Sequence, residues 1–160
     1  MRLLRVLLIA SAILPIASIS FGQSTKEGAK EMLTKAVAAV KADKPKALAM
    51  FNTGQGGFRD GDLSVACFNV SDGKFVATGN PNSKKYLGID GRTFKARNGS
   101  PLKLDEIAKK PEGEITIVEL EMPKPGSDTR SVPKQNYATR VGDLICSVGY
   151  FYWFNQRDNS

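Results

Sequence analysis

Between residues 24 and 40, Ala29, Met32, Leu33, Ala36, Val37 and Val40 recur in alternating three-residue and one-residue steps, and that spacing traces one face of a helix. Ser24 or Thr25 can cap its start, and Lys41-Ala42-Asp43 interrupts it. Asp43 ahead of Lys44-Pro45 then restarts a second helical segment, because Pro is tolerated in a helix's first turn. Ala47, Leu48, Met50 and Phe51 supply its apolar side, and the Gly-rich stretch 52–57 and Asp60-Gly61-Asp62 read as turns. The run 63–70 is apolar enough to predict a strand covered on both faces, and Ser71-Asp72-Gly73-Lys74 turns the chain back into a strand over 75–78. Residues 79–100 are an irregular excursion, and Leu104, Ile107 and Ala108 mark a short helix over 104–110. A strand follows over 114–122, with Ile115 and Ile117 on one face and Val118 and Leu120 on the other. A long polar loop is expected over 123–133, then a hairpin of strands 135–141 and 144–151 about Gly142-Asp143. No internal repeat interrupts this order. It predicts one α+β domain with a five-stranded antiparallel sheet.

The first 22 residues do not fit that domain. Arg2 and Arg5, the apolar stretch 6–19 and the small residues of Ser20-Phe21-Gly22 make a secretory signal peptide, leaving a single domain over 23–160. The apolar stretch is too short for a spanning helix, so no membrane span is expected after processing. Removing the leader takes two Arg and no acid, which lowers the net charge from +7 to +5. Lysines along the first mature segment alternate with Glu27, Glu31 and Asp43 and carry no interleaved aromatics, the pattern of a solvated helix face and not of a nucleic-acid surface.

The 160 residues contain no His, which removes the usual general base, the Ser-His and Cys-His nucleophile pairs and most zinc sites. No catalytic residue, metal or cofactor is assigned, and a binding module is expected instead of an enzyme. Asp60 and Asp62 flank Gly61 without the further oxygen ligands of a cation loop, so a turn is the better reading. Cys67 and Cys146 form an even pair in an exported chain, which favours a disulfide, and neither lies in a CxxC motif.

The order of pieces resembles the single-Cache domains of type 2, extracytoplasmic relatives of the PAS sensor fold. The likeness rests on Lys134-x-x-Tyr137-x-x-Arg140-Val141-Gly142-Asp143-Leu144-Ile145 running on to Gly149-Tyr150-Phe151. Phe51-Asn52, the Gly57-Phe58-x-Asp60-Gly61-Asp62-Leu63 entry and the Asp72-Gly73-Lys74 turn also fit. The resemblance implies a long amino-terminal helix on one face of a sheet of order 2-1-5-4-3. It also implies a small-molecule pocket on the other face, roofed by the excursion after the second strand. A secreted or periplasmic domain follows, binding a small polar metabolite such as an organic acid or amino-acid-like molecule. It would have no membrane helix of its own and would report to a membrane receptor or transporter. The alternative is a protein-interaction module with a collapsed pocket.

Within that frame Tyr137 would close the pocket, or else be a core Tyr, sharing its strand face with Thr139 while Asn136, Ala138 and Arg140 take the other. Lys134, read as a loop lysine, and Arg92 in the excursion would hold a ligand carboxylate, with Tyr86 as a lid aromatic. Phe68 is the one aromatic kept along the first strand, and Thr78 stands near the position where many members have His. The implied sheet order makes the first and last strands neighbours. Centring them leaves Cys67 and Cys146 either directly opposite, and able to bond, or one step out of register and on opposite faces.

Overall fold

The computed structural model describes residues 24–123 and 130–152, so the signal peptide expected over 1–22 lies outside the described residues. Helix α1 (Lys26–Ala42) starts where the Thr25 hydroxyl accepts from the Gly28 N–H at 3.0 Å. It buries Ala29, Met32, Leu33, Ala36 and Val40, the face marked by the periodicity. Asp43 serves both helices. Its N–H donates to the Ala39 carbonyl and its carboxylate accepts from the Lys46 N–H, opening α2 (Lys44–Thr53). Gly54, with φ of 73°, takes the left-handed conformation that ends α2.

The sheet contains β1 (Arg59–Asp60), β2 (Leu63–Asn69), β3 (Phe75–Thr78), β4 (Thr116–Pro123), β5 (Ser131–Val141) and β6 (Leu144–Phe151). All pairs are antiparallel, and the five longer strands pair in the order β3-β2-β6-β5-β4. The short β1 is an addition to the five-stranded expectation. Folded back on β2 about the Gly61 turn, it pairs Arg59 with Ser64. The polar loop expected over 123–133 is corrected as well, because β5 begins at Ser131 and pairs Val132 with Met122 and Pro133 with Glu121. Backbone pairing does not require apolar side chains. Pro133, which lacks an N–H, still accepts from the Tyr152 N–H through its carbonyl.

The sheet separates two cores. On the helix side Met32, Leu33, Phe51, Val65, Tyr137 and Val148 pack together, and on the other side Phe68, Phe75, Leu104, Ile107, Val118 and Ile145 form a second cluster. Cys67 and Cys146 stand directly opposite each other in β2 and β6, 4.1 Å apart at Cα, and are joined by a disulfide inside the helix-side core. That resolves the register left open by the sequence. Ile115 and Ile117 are about half exposed, because α1 packs chiefly over β6, β5 and β2 and stops short of the β4 edge.

Candidate ligand-binding site

The segment between β3 and β4 folds back over the face of the sheet away from α1. It carries two 3-10 turns, Pro81–Tyr86 and Gly91–Thr93, and the short helix α3 (Leu104–Ala108). Backbone bonds stitch this roof to the β2–β3 hairpin: Phe75 donates to Ile89, Gly88 to Phe75, and Gly91 to Gly73. On the far side the Arg97 N–H donates to the Glu121 carbonyl of β4. Gly91 allows the close approach. A Cβ there would lie 2.6 Å from the Phe68 ring and 2.9 Å from Leu104.

A cavity of about 150 Å³ remains between roof and sheet. A void of roughly this size holds a molecule such as benzene. Apolar groups from Phe68, Phe75, Val118, Leu120, Ala138 and Ile145 make its floor, with Tyr86, Ile89, Phe94 and Leu102 above. The polar groups on the floor are Lys134, Asn136 and Ser147, and Ser83 and Asp90 add two from the roof. Lys134 is the cavity's cationic side chain. Burial of its ammonium lowers its pKa from 10.5 to about 8, against a smaller opposing pull from Asp62. Its Nζ lies 4.9 Å above the Phe151 ring, its partner across the β5–β6 ladder.

Alternation on β5 decides which expected residues meet there. Lys134 belongs to the strand and not to a loop, and with Asn136 and Ala138 it faces the cavity. Tyr137 faces the helices. Only 1% exposed, it lies under the Lys30 ammonium at 5.2 Å and donates its hydroxyl to Gln135 Oε1 at 2.6 Å, while burial pushes its pKa up. Tyr137 is therefore a core residue, outside the cavity.

Arg92 stands in the roof but does not line the cavity. Its guanidinium bonds both oxygens of Asp90 and the Asp72 carbonyl, which ties the roof to the hairpin turn. Asp90 is held below the usual carboxylate range by that contact, and the Arg92 pKa is raised. The latch needs Gly73 beneath it, at φ of 68°, where a Cβ would fall 2.2 Å from Asp90 Oδ1. Phe68 lies on the floor, stacked on Phe75 at 4.6 Å, and Tyr86 stands 40% exposed at the rim. Thr78 is buried beside the cavity without lining it. Its N–H donates to Asn52 Oδ1 and its hydroxyl accepts from the Asn80 N–H, so the Phe51-Asn52 motif pins the end of β3.

Asn136 and Ser147 line the cavity although neither was an expected site residue, and Gly149 entered the sequence reading only as part of the carboxyl-terminal motif. Gly149 is paired with Asn136, and a Cβ on it would lie 2.0 Å from Asn136 Oδ1 and 2.7 Å from Lys134 Cε. Both side chains thus lie across a glycine. The two-residue period from Lys134 through Asn136 to Ala138 was the available signal, once Lys134 is placed in the strand.

No protein-family model and no curated protein matches the chain. Solved structures do. A methyl-accepting chemotaxis protein from Vibrio parahaemolyticus matches with a TM-score of 0.58 at 16% identity, over 79% of this chain and 87% of that one. The periplasmic sensor domain of a chemotaxis protein matches at 0.56 and 20%, over 79% and 90%. A Cache chemosensory domain, described for its carboxylic acid recognition, matches at 0.54 and 19%, over 79% and 88%. At these identities the likeness is one of architecture. The chain shares the fold of these Cache-type domains.

Proposed function

We propose that the chain is an extracytoplasmic sensing domain that binds a small monocarboxylate between roof and sheet, with the Lys134 ammonium as the anion's partner. The carrying observation is the position of Lys134, a desolvated cation facing a cavity otherwise walled mostly by apolar side chains. A short acid fits that arrangement, its carboxylate at Lys134 and the Asn136 amide and its apolar end over Phe68 and Phe75. The solved Cache neighbour described for carboxylic acid recognition supports the same class.

Binding is non-covalent, and the signal passes to a membrane receptor or transporter. The amino-terminal segment acts as the export signal that brings the domain to the periplasm or cell exterior. The open cavity speaks against an interaction module with a collapsed pocket. A thermal-shift screen of the purified protein against organic acids, amino acids and amines tests the reading. A ligand at a hundred times its dissociation constant stabilises by about 2.7 kcal/mol. Stabilisation by short monocarboxylates and by no amine supports the proposal. A flat response to every acid contradicts it.

A further inference from the structure

The place of Lys134 in β5 surrounds its amine with groups that cannot neutralise it. Its cross-strand partners are Leu120 on β4 and Phe151 on β6, both apolar, and Asn136, the next residue on its own face, is neutral. The stem lies across Gly149, where a Cβ would fall 2.7 Å from Lys134 Cε. The titratable groups that face it come from other elements: Asp90 and Tyr86 from the roof, and Asp62 from the turn before β2. Asp90 is bonded to the Arg92 guanidinium, and Lys134 makes no ion pair among the described residues. Burial without a counter-ion favours the neutral amine, whose lone pair is a nucleophile. The reading of Lys134 as an anion's partner uses its ammonium and leaves that lone pair unused.

We infer that Lys134 captures small aldehydes covalently, as an imine formed at its Nζ inside the roofed cavity. The amine lone pair attacks the carbonyl carbon, so that a C–N bond forms and the C=O π pair moves to oxygen. A proton passes from nitrogen to that oxygen, giving a carbinolamine. Its hydroxyl takes up a proton and leaves as water while the nitrogen lone pair closes a C=N bond, and the resulting iminium returns a proton to solvent. Amine and aldehyde thus become imine and one water, with no oxidation or reduction. The Asn136 amide and the Ser147 hydroxyl on the same floor offer hydrogen bonds to the carbinolamine oxygen. The cavity of about 150 Å³ limits the aldehyde to a few carbons, and the stacked Phe68 and Phe75 receive its apolar end. The inference shares Lys134 with the monocarboxylate reading but does not require a carboxylate to be the resident ligand.

The test is reductive trapping of the purified protein with propanal and cyanoborohydride near neutral pH, followed by peptide mapping. Lys134 is expected to take up the propyl group about tenfold or more faster than Lys84 and Lys85, which are exposed on the roof. Unfolding in guanidinium chloride should abolish that preference. Lys134→Arg should remove the fast phase and leave the slow labelling of Lys84 and Lys85 in place. A Lys134 that labels no faster than Lys84 overturns the inference, and so does a preference that survives unfolding or a fast phase that survives Lys134→Arg. The first comparison is made in wild type, so it stands whether or not the variant folds. Propionate should protect Lys134 from trapping. Fast trapping that propionate does not slow supports the aldehyde site and counts against the monocarboxylate reading. Slow trapping beside a propionate-dependent shift of the Lys134 Cε resonance rejects the aldehyde site alone.

Discussion

Gly149 and Lys134 are coupled by a missing methyl group: the Cβ that Gly149 lacks would lie 2.7 Å from Lys134 Cε and 2.0 Å from Asn136 Oδ1. The atoms in the way belong to the outer parts of two side chains and not to backbone. Gly149→Ala should therefore be accommodated by displacing both, at about 1–3 kcal/mol of stability. Its larger effect should be on binding, with monocarboxylate affinity falling about tenfold or more as Lys134 is pushed off the cavity floor. Paired urea unfolding and ligand titration separate the two effects.

The Cys67–Cys146 bridge closes a long loop, at a sequence separation of 79. A chain-entropy account assigns such a loop about 4–5 kcal/mol of stabilisation. Replacing both cysteines by Ala should lower the unfolding free energy by an amount of that order. Thiol titration of the unfolded, unreduced wild type should find no free thiol. Two free thiols would contradict the bridge.

Much of this architecture was legible in the chain. The three-and-four spacing of Ala29, Met32, Leu33 and Ala36 located α1, and Asp43-Lys44-Pro45 located the break before α2, because both signals are local. The reach of β5 was not legible, since Ser131 to Lys134 are paired by neighbouring strands and not by their own hydrophobicity. The candidate site was read in part for the same reason. Lys134, Phe68 and Tyr86 line the cavity, whereas Tyr137, three positions from Lys134 on the same strand, points to the opposite face. Arg92 stood in the expected roof, but its commitment to Asp90 and the Asp72 carbonyl depends on a turn that only the fold brings near.

That latch yields a prediction of its own. Arg92→Ala should leave the cavity lining intact and loosen the roof, raising hydrogen exchange at the Gly88 and Gly91 amides that bond to the hairpin. Gly73→Ala should have the same signature with a greater loss of stability, because it also strains a left-handed backbone position. Equal protection in wild type and both variants would show that the backbone bonds hold the roof unaided.

Burying the Lys134 ammonium opposes folding near neutral pH. Its folded-state pKa of about 8 lies below its ordinary 10.5, so between those values the unfolded chain binds more protons. Its contribution to stability therefore rises as pH climbs from about 8 towards 10.5, and the penalty is fully present below 8. Lys134→Met should accordingly be more stable than wild type at pH 7, with the difference shrinking above pH 8, while losing monocarboxylate binding. Unfolding curves across that range check the sign. A Met variant that is less stable at pH 7 and binds acid normally would contradict both parts.

The most direct measurement follows the Lys134 side chain itself, by titrating its Cε NMR resonance with and without propionate. Alone, Lys134 should titrate near pH 8. Bound propionate favours the ammonium and should move that midpoint upward, and by linkage propionate affinity should fall as pH rises through the same range. A Lys134 that titrates at its ordinary value with and without propionate would contradict its assignment as the anion's partner.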